Sequence, residues 1–424
     1  MIRHRYPAAA MAANLETLHL ADLHARAAQL GIPGYRLLRR ERLVAAISQD
    51  EGTERDRDAR PDRERLEEAE TEGVTGVLEV TPQRYGFLRF GGLEAQADDV
   101  YVSASQIRRC ELRSGDQVAG PARAPRRGER HRALIHVDRV NGGEPPTEKR
   151  PAFEDLTPVL PKRRVGLGDS SDVLTRAVDL LTPLALGQRV LVVAAPRSGR
   201  TTLLRSIASA IGQQEALELI VVLIDERPEE ATAWAEALPE SEVISATADL
   251  PPEDQVRVAE LALERGRRIA EAGRDAVMVV DSLSRLAVAS SSVAGGGRAS
   301  DVAEVKGVFG SGRELGEEGA GSMTVIATVV AGAEDDGAAE RAVVTTESSL
   351  ITLDPELAAA GVFPALRAAK CRISNEDALR DADELASVRR LRSLLADLDS
   401  VEAANLLRER IEGSASNAEL LASL

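Results

Sequence analysis

Four almost unbroken apolar runs, Val190 to Ala195, Leu219 to Ile224, Ala276 to Val280 and Met323 to Val330, mark the second half of this chain. They are too continuous for half-buried strands, and helical patterns fill the intervals between them. That arrangement predicts a parallel sheet covered on both faces. Between Gly76 and Val140 the runs shorten to GVLEV, YGFLRF, DDVYVS and ALIHVDRV, separated by Gly, Pro and polar clusters. Here the expectation is a small antiparallel barrel or sandwich. From Leu15 to Ile47 apolar residues recur mostly at helical spacing, broken by GIPGY at residues 31–35, and the stretch from Asp377 to Leu424 is again helical in pattern. No repeat of fixed period is present.

These shifts divide the chain into a helical unit over 13–48, a charged linker over 49–72, a barrel over 73–145, a second linker over 146–168 and an α/β domain with C-terminal helices over 169–424. The first linker, QDEGTERDRDARPDRERLEEAETE, has almost no large apolar side chains and alternates in charge, the composition of a solvated segment.

Composition narrows the function classes. A net charge of −16 over 424 residues argues against a chain that coats nucleic acid indiscriminately, so any such contact needs a local basic or aromatic patch. No apolar run approaches the roughly 18 residues of a membrane span, and the apolar part of MIRHRYPAAAMAA is short for a secretory signal. The expected location is the cytoplasm, with no membrane partner. Cys110 and Cys371 are the only cysteines and lie far apart, which indicates neither a disulfide framework nor a zinc site.

The run VLVVAA leads into PRSGRTTLL, so a strand, a tight turn and a helix follow one another around Gly199 and Thr201. This is the phosphate-loop pattern, whose turn aims backbone N–H groups at a phosphate and whose hydroxyl, here Thr201, meets Mg²⁺. The pattern's first glycine is Ala194 and its lysine is Arg200. A second run, DAVMVVDSLSRL, delivers Asp281 to the sheet's C-terminal edge, where a carboxylate can hold the metal's shell. The alternative for Asp281 is a helix cap. A third, LELIVVLIDERPEE, brings Glu226 to the same edge, in position to orient an attacking water; its acidic neighbours Asp225, Glu229 and Glu230 suit the next helix's positive end.

The chain has ten aromatic residues, and Tyr85, Phe87, Phe90 and Tyr101 fall within seventeen positions. In YGFLRF, alternation sets Tyr85, Phe87 and Arg89 on one sheet face, the arrangement of a platform on which bases stack. Barrel core is the alternative. The stretch PARAPRRGERHR adds local positive charge, which a solvated loop would also carry.

Taken together, these motifs resemble the bacterial transcription termination factor Rho family from about Leu15 to Leu379, in order: YGFLRF, DDVYVSASQIRR, GER, FEDLTP, LGQRVLVVAAPRSGRT, LIDERPEE, DSLSRLA and VFPA. The resemblance implies a RecA-like P-loop ATPase domain behind a cold-shock-like (OB) barrel. It also implies a hexameric ring that binds single-stranded RNA, hydrolyses ATP with Mg²⁺, translocates, and acts on the RNA polymerase elongation complex. By it, Tyr85, Phe87, Arg89, Asp99, Tyr101, Glu129 and His131 match the primary RNA site, His131 standing where a tyrosine is expected. Gly187, Gln188, Arg189, Arg197, Ser198, Gly199, Arg200, Thr201, Thr202, Arg227 and Phe363 match nucleotide-binding positions. Glu226, Asp281 and Arg200 match the catalytic positions, and Thr201 and Asp281 the metal positions.

Departures from the family pattern fall in the motor's working parts. Lysine becomes Arg200, and the family's SGTR after VFPA aligns with CRIS, which leaves Ser374 where an arginine reaches the neighbouring subunit. One channel loop reads AGAEDDGAAE, without its lysine, and the other is shortened to AGGGRASD with Arg298 its only basic residue. Two readings follow: an RNA-dependent ATPase that terminates transcription, or a catalytically weakened Rho-like ring protein that binds RNA without efficient hydrolysis.

Overall fold

The computed structural model describes residues 71–293, 302–331 and 337–424, together with 23, 27, 40, 42–44 and 46–47 of an N-terminal unit that is compact in its own right. In that unit Leu23, Ala27, Leu43 and Ile47 are helical and fully buried. Most of the expected helical unit, the charged linker over 49–70, the loop carrying Arg298 and the centre of AGAEDDGAAE lie outside the described residues.

The barrel consists of β1 (Thr71–Val80), β2 (Gly86–Arg89), β3 (Val100–Val102), β4 (Gln117–Arg123), β5 (Arg132–Leu134) and β6 (Arg139–Val140). Its strand order is β1-β2-β3-β5-β4-β6, and a further β1–β4 pairing closes the sheet on itself. Closure removes the unpaired edges that a small sheet would otherwise expose. Leu78, Leu88, Val100, Val102 and Val118 fill the interior. One pair, β3 with β5, is parallel, so the sheet is not purely antiparallel as the short runs suggested. The helix α1 (Ala104–Arg109) makes the parallel crossover possible and is started by a capping box between Ser103 and Gln106. Strand β1 begins at Thr71, inside the stretch read as linker, and its Glu72 meets Arg132 of β5 at 3.0 Å.

The second sheet contains β7 (Pro158–Val159), β8 (Arg189–Ala194), β9 (Leu217–Glu226), β10 (Glu242–Thr247), β11 (Asp275–Asp281), β12 (Arg313–Leu315), β13 (Ser322–Val330), β14 (Ser349–Thr352) and β15 (Arg372–Ile373). Its main path runs β10-β9-β11-β13-β8-β14-β15, parallel up to β14. The helices α2 (Val173–Leu181), α3 (Arg200–Gly212), α4 (Pro228–Ala237), α5 (Pro252–Glu271), α6 (Leu283–Val293), α7 (Ala303–Gly310) and α8 (Ala338–Val343) accompany it. Residues of one apolar cluster, among them Leu203 of α3 with Val190 and Val221, cover one face; Leu263 of α5 with Ile220 and Met278 belong to the other. The continuous apolar runs are therefore strands buried from both sides, as their lack of alternation required. Short α9 (Pro355–Ala359) and the helices α10 (Ala382–Ala396), α11 (Ser400–Glu412) and α12 (Asn417–Ala422) complete the chain.

Residues 153–168 of the stretch read as a linker pack on this domain, whereas Arg150 pairs with Asp116 of the barrel. Strand β7 pairs antiparallel with β12, and Phe153 is fully buried beneath the guanidinium groups of Arg313 and Arg267, at 4.8 and 5.7 Å from its ring centre. Low apolar content hid this segment, which is held by one buried ring, two ladder residues, the buried side chains of Val165 and Leu167, and the pairing of Arg163 with Asp275 and Glu314.

The barrel is seated on α5. Gly115, at φ +85°, comes so close that a Cβ there would lie 2.3 Å from the carbonyl carbon of Glu264, so only glycine fits. Val77 and Leu93 of the barrel are buried in the same cluster as Val258 and Leu261 of α5.

Candidate active site and nucleic-acid interface

Strand β8 ends at Ala194 and the chain turns through residues 195–199 into α3. Two left-handed residues make the turn, Arg197 at φ +62° and Gly199 at φ +87°, with Gly199 as the helix N-cap. Ser198, fully buried, donates through Oγ to the Ala195 carbonyl at 2.8 Å and ties the loop shut. The result is a helix N-terminus with no capping side chain, whose first N–H groups point outward as an anion site. The Phe363 ring, 41% exposed, lies 3.7 Å from where a Cβ on Gly199 would stand, so an aromatic face borders the loop.

Glu226 and Asp281 end the neighbouring strands β9 and β11 at the same sheet edge, where ligands of open α/β sheets bind. Asp281 is 1% exposed and accepts a hydrogen bond from Thr328 Oγ1 at 3.0 Å. Burial pushes its carboxyl above the usual range, while Arg200 and Arg285 pull in the other direction. Arg200 Nε sits 3.2 Å from Asp281 Oδ1 and Arg200 Nη2 sits 3.5 Å from Glu226 Oε1. The same Glu226 oxygen is 2.8 Å from Arg285 Nη1. Two carboxylates and two guanidinium groups thus form one cluster, formally neutral.

Arg285 and Thr328 were missed by sequence reasoning. Arg285 had a readable signal, since it follows Asp281 within DSLSRL on the first turn of α6; Thr328 arrives only because β13 lies beside β11. Of the remaining candidates, Thr201 and Thr202 begin α3 beside Arg200, and Arg227 is the exposed N-cap position of α4. Asp225, exposed at φ +53°, does not cap that helix, which has no side-chain cap; Glu229 and Glu230 occupy its first turn. Within one chain, Gly187, Gln188 and Arg189 are not brought to the loop. They open β8 at its opposite end, about 17 Å away by strand rise. There Gly187 N donates to Thr324 Oγ1, Ala185 N donates to Gln188 Oε1, and Arg189 Nε donates to the Thr346 carbonyl. Ser374 is exposed at the end of β15, and neighbouring Arg372 is held by Glu347 at 2.6 Å.

On the barrel, Tyr85, Phe87, Tyr101 and His131 gather on one outer face. The Phe87 ring centre lies 5.7 Å from Tyr85, 6.1 Å from Tyr101 and 5.0 Å from His131. Register explains the cluster, since Phe87 of β2 pairs directly with Tyr101 of β3 while Leu88 turns inward. Phe90, grouped with them by proximity in sequence, packs instead against the barrel core.

Arg89 is buried, its guanidinium 5.3 Å from the Phe87 ring centre and paired with both Glu79 and Asp99. It therefore backs the platform rather than projecting from it. Asp99 Oδ1 and His131 Nδ1 are buried without a hydrogen-bond partner. Glu129 is exposed and accepts from Arg123, whose hydrogen bond holds its carboxyl down at about 2.

A phosphate loop flanked by paired strand-end carboxylates, on a parallel sheet carrying a closed barrel with an aromatic face, defines a RecA-like P-loop ATPase with an OB-like module. Residues 74–146 match the model described as Rho termination factor, RNA-binding domain, and residues 175–371 the one described as ATP synthase alpha/beta family, nucleotide-binding domain. Relatives named Transcription termination factor Rho from Chromobacterium violaceum and Aquifex aeolicus are each 36% identical over 423 residues. The first alignment spans 95% of this chain and 97% of the relative, the second 96% and 93%. The chain belongs to the transcription termination factor Rho family. A solved ATPase from the type III secretion system of pathogenic bacteria shares the fold at 20% identity, with a TM-score of 0.53, over 68% of this chain and 93% of that one.

Proposed function

We propose that this protein is a termination factor of the Rho type, which binds single-stranded RNA on the barrel and hydrolyses ATP at the phosphate loop in an RNA-dependent way. The observation that carries the reading is the coexistence, in one compact unit, of the ring cluster around Phe87 and the loop whose edge carries Glu226 and Asp281. A base stacked on Phe87 or Tyr101 would lie against the cluster of rings that His131 completes. At the other site, the N–H groups opening α3 would bind the phosphates and Phe363 would cover the base.

The residues also fit a divalent metal. Asp281 and the Thr201 hydroxyl would hold it, at a carboxylate that burial makes dependent on a nearby cation. When bound, Mg²⁺ supplies charge neutralisation between the transferring phosphates. Glu226 would orient the attacking water, and Arg285, 2.8 Å from it, holds that carboxylate in place.

A homo-oligomeric, hexameric ring would place each site against a neighbour, and translocation along RNA would displace the transcript from the RNA polymerase elongation complex in the cytoplasm. None of the findings favours the catalytically weakened alternative. The test is ATP hydrolysis with and without polypyrimidine RNA, for the natural protein and Arg200→Lys. RNA-stimulated turnover in the natural protein is expected. Its absence, with RNA binding intact, would sink the motor reading and leave an RNA-binding ring.

A further inference from the structure

Arg200 follows the phosphate loop's glycine directly, yet its guanidinium lies down on the acidic pair. Nε is 3.2 Å from Asp281 Oδ1 and Nη2 is 3.5 Å from Glu226 Oε1. Arg285 meets Glu226 at 2.8 Å and acts on Asp281 only from farther off, so Asp281 depends chiefly on Arg200, which touches it, for its counter-charge. That dependence is strong, because Asp281 is 1% exposed and a carboxylate so far from water needs a cation beside it.

A divalent metal at the same oxygen would stand within a few ångströms of the guanidinium carbon. Two cations cannot share that position in a partly dry site, so metal entry requires Arg200 to leave. Because it starts at the first residue of α3, its guanidinium can stay on Asp281 while the N–H groups that open the helix hold a phosphate.

We infer that Arg200 is a tethered competitor for the metal position at Asp281, and that it makes nucleotide binding by this site largely independent of divalent metal. The inference rests on reading the loop as a nucleotide site. Linkage supplies the logic: while Arg200 stays on Asp281 it supplies the positive charge that a metal would otherwise bring, so a metal adds little to the nucleotide's affinity, and the nucleotide little to the metal's. A lysine at this position would carry the same charge on a slimmer stem. It would reach the phosphates without an Nε to rest on Asp281, and metal and nucleotide would then bind as one.

The test is calorimetric titration of ADP into the full-length protein, in EDTA and in excess Mg²⁺, so that no hydrolysis enters the readout. For the natural protein the two dissociation constants are expected to agree within about threefold, whereas in Arg200→Lys chelation is expected to weaken ADP by about tenfold or more, the size of an ordinary coupling. Arg200→Met, which removes the charge and the fork together, should follow the lysine variant in its metal dependence, and ADP binding by it that is as insensitive to chelation as the natural protein's overturns the inference. Equal metal dependence in the natural protein and Arg200→Lys, with ADP bound in both, overturns the inference and leaves the nucleotide site standing. No ADP binding by the natural protein in either buffer overturns the nucleotide-site reading itself, and the inference with it.

Discussion

Arg257 of α5 and Glu79 of β1 meet at 3.0 Å, and the same Glu79 oxygen accepts from Arg89, the residue that backs the Phe87 ring. A side chain of the ATPase domain therefore helps hold the platform in the barrel. Both partners are partly buried, so the pair is screened less than a surface one. Arg257→Ala is expected to weaken RNA binding by about 0.5–1 kcal/mol, with Arg257→Lys restoring part of it. Filter binding with a short polypyrimidine checks this, and unchanged affinity in the alanine variant refutes it.

The platform and the core of one strand can be told apart. Phe87→Ala is expected to cost roughly 1–3 kcal/mol of RNA binding with little change in melting temperature, because the ring is only half-buried on the outer face. Leu88→Ala, one residue on and fully buried, is expected to lower stability by roughly 2–5 kcal/mol. If the two variants behave alike in thermal melts, the face assignment is wrong.

Glu226→Gln keeps the side chain's shape and removes its charge. Hydrolysis is expected to fall about 10²- to 10⁴-fold while ADP affinity changes little, since the residue acts on water rather than on the bound phosphates. A large loss of ADP affinity would assign Glu226 to binding instead.

Seating of the barrel can be tested at Gly115. Gly115→Ala adds a Cβ 2.3 Å from Glu264 and at a positive φ, so it is expected to loosen the barrel from α5 by more than about 1 kcal/mol. Faster proteolysis between the domains, or a second thermal transition, would report the change. Gly91→Ala, also at positive φ but with nothing near the added Cβ, is the control for backbone strain alone.

Cys371 offers a pH test. Burial pushes its thiol up to about 11. The thiol form is favoured in the fold, so its contribution to stability is full below pH 9, the ordinary value, and is lost as pH rises through 11. Iodoacetamide labelling at pH 8 is expected to be about 100-fold slower than for a free thiol, from the shortfall in thiolate. Mass spectrometry of the labelled peptide checks it, and rapid labelling of the folded protein would contradict the burial.

Much of this protein is legible from residue order alone. The doubly covered sheet follows from strands that never alternate, the phosphate loop from the strand, Gly199 and Thr201 in sequence, and the platform from rings two residues apart in YGFLRF. These are local signals, in which spacing along the chain is also spacing in space.

Tertiary structure decided the relationships between distant segments. Only the pairing of β7 with β12 and the burial of Phe153, Val165 and Leu167 reveal that residues 153–168 pack on the ATPase domain. Strand polarity alone carries Gly187, Gln188 and Arg189 to the far end of β8 from the loop that follows it. Arg200 was conspicuous as a departure from a motif, but its resting place was not. Where a long, charged side chain settles depends on which buried carboxylate most lacks a partner, and Asp281 becomes that partner only when β9, β11 and the loop meet at one edge of the sheet.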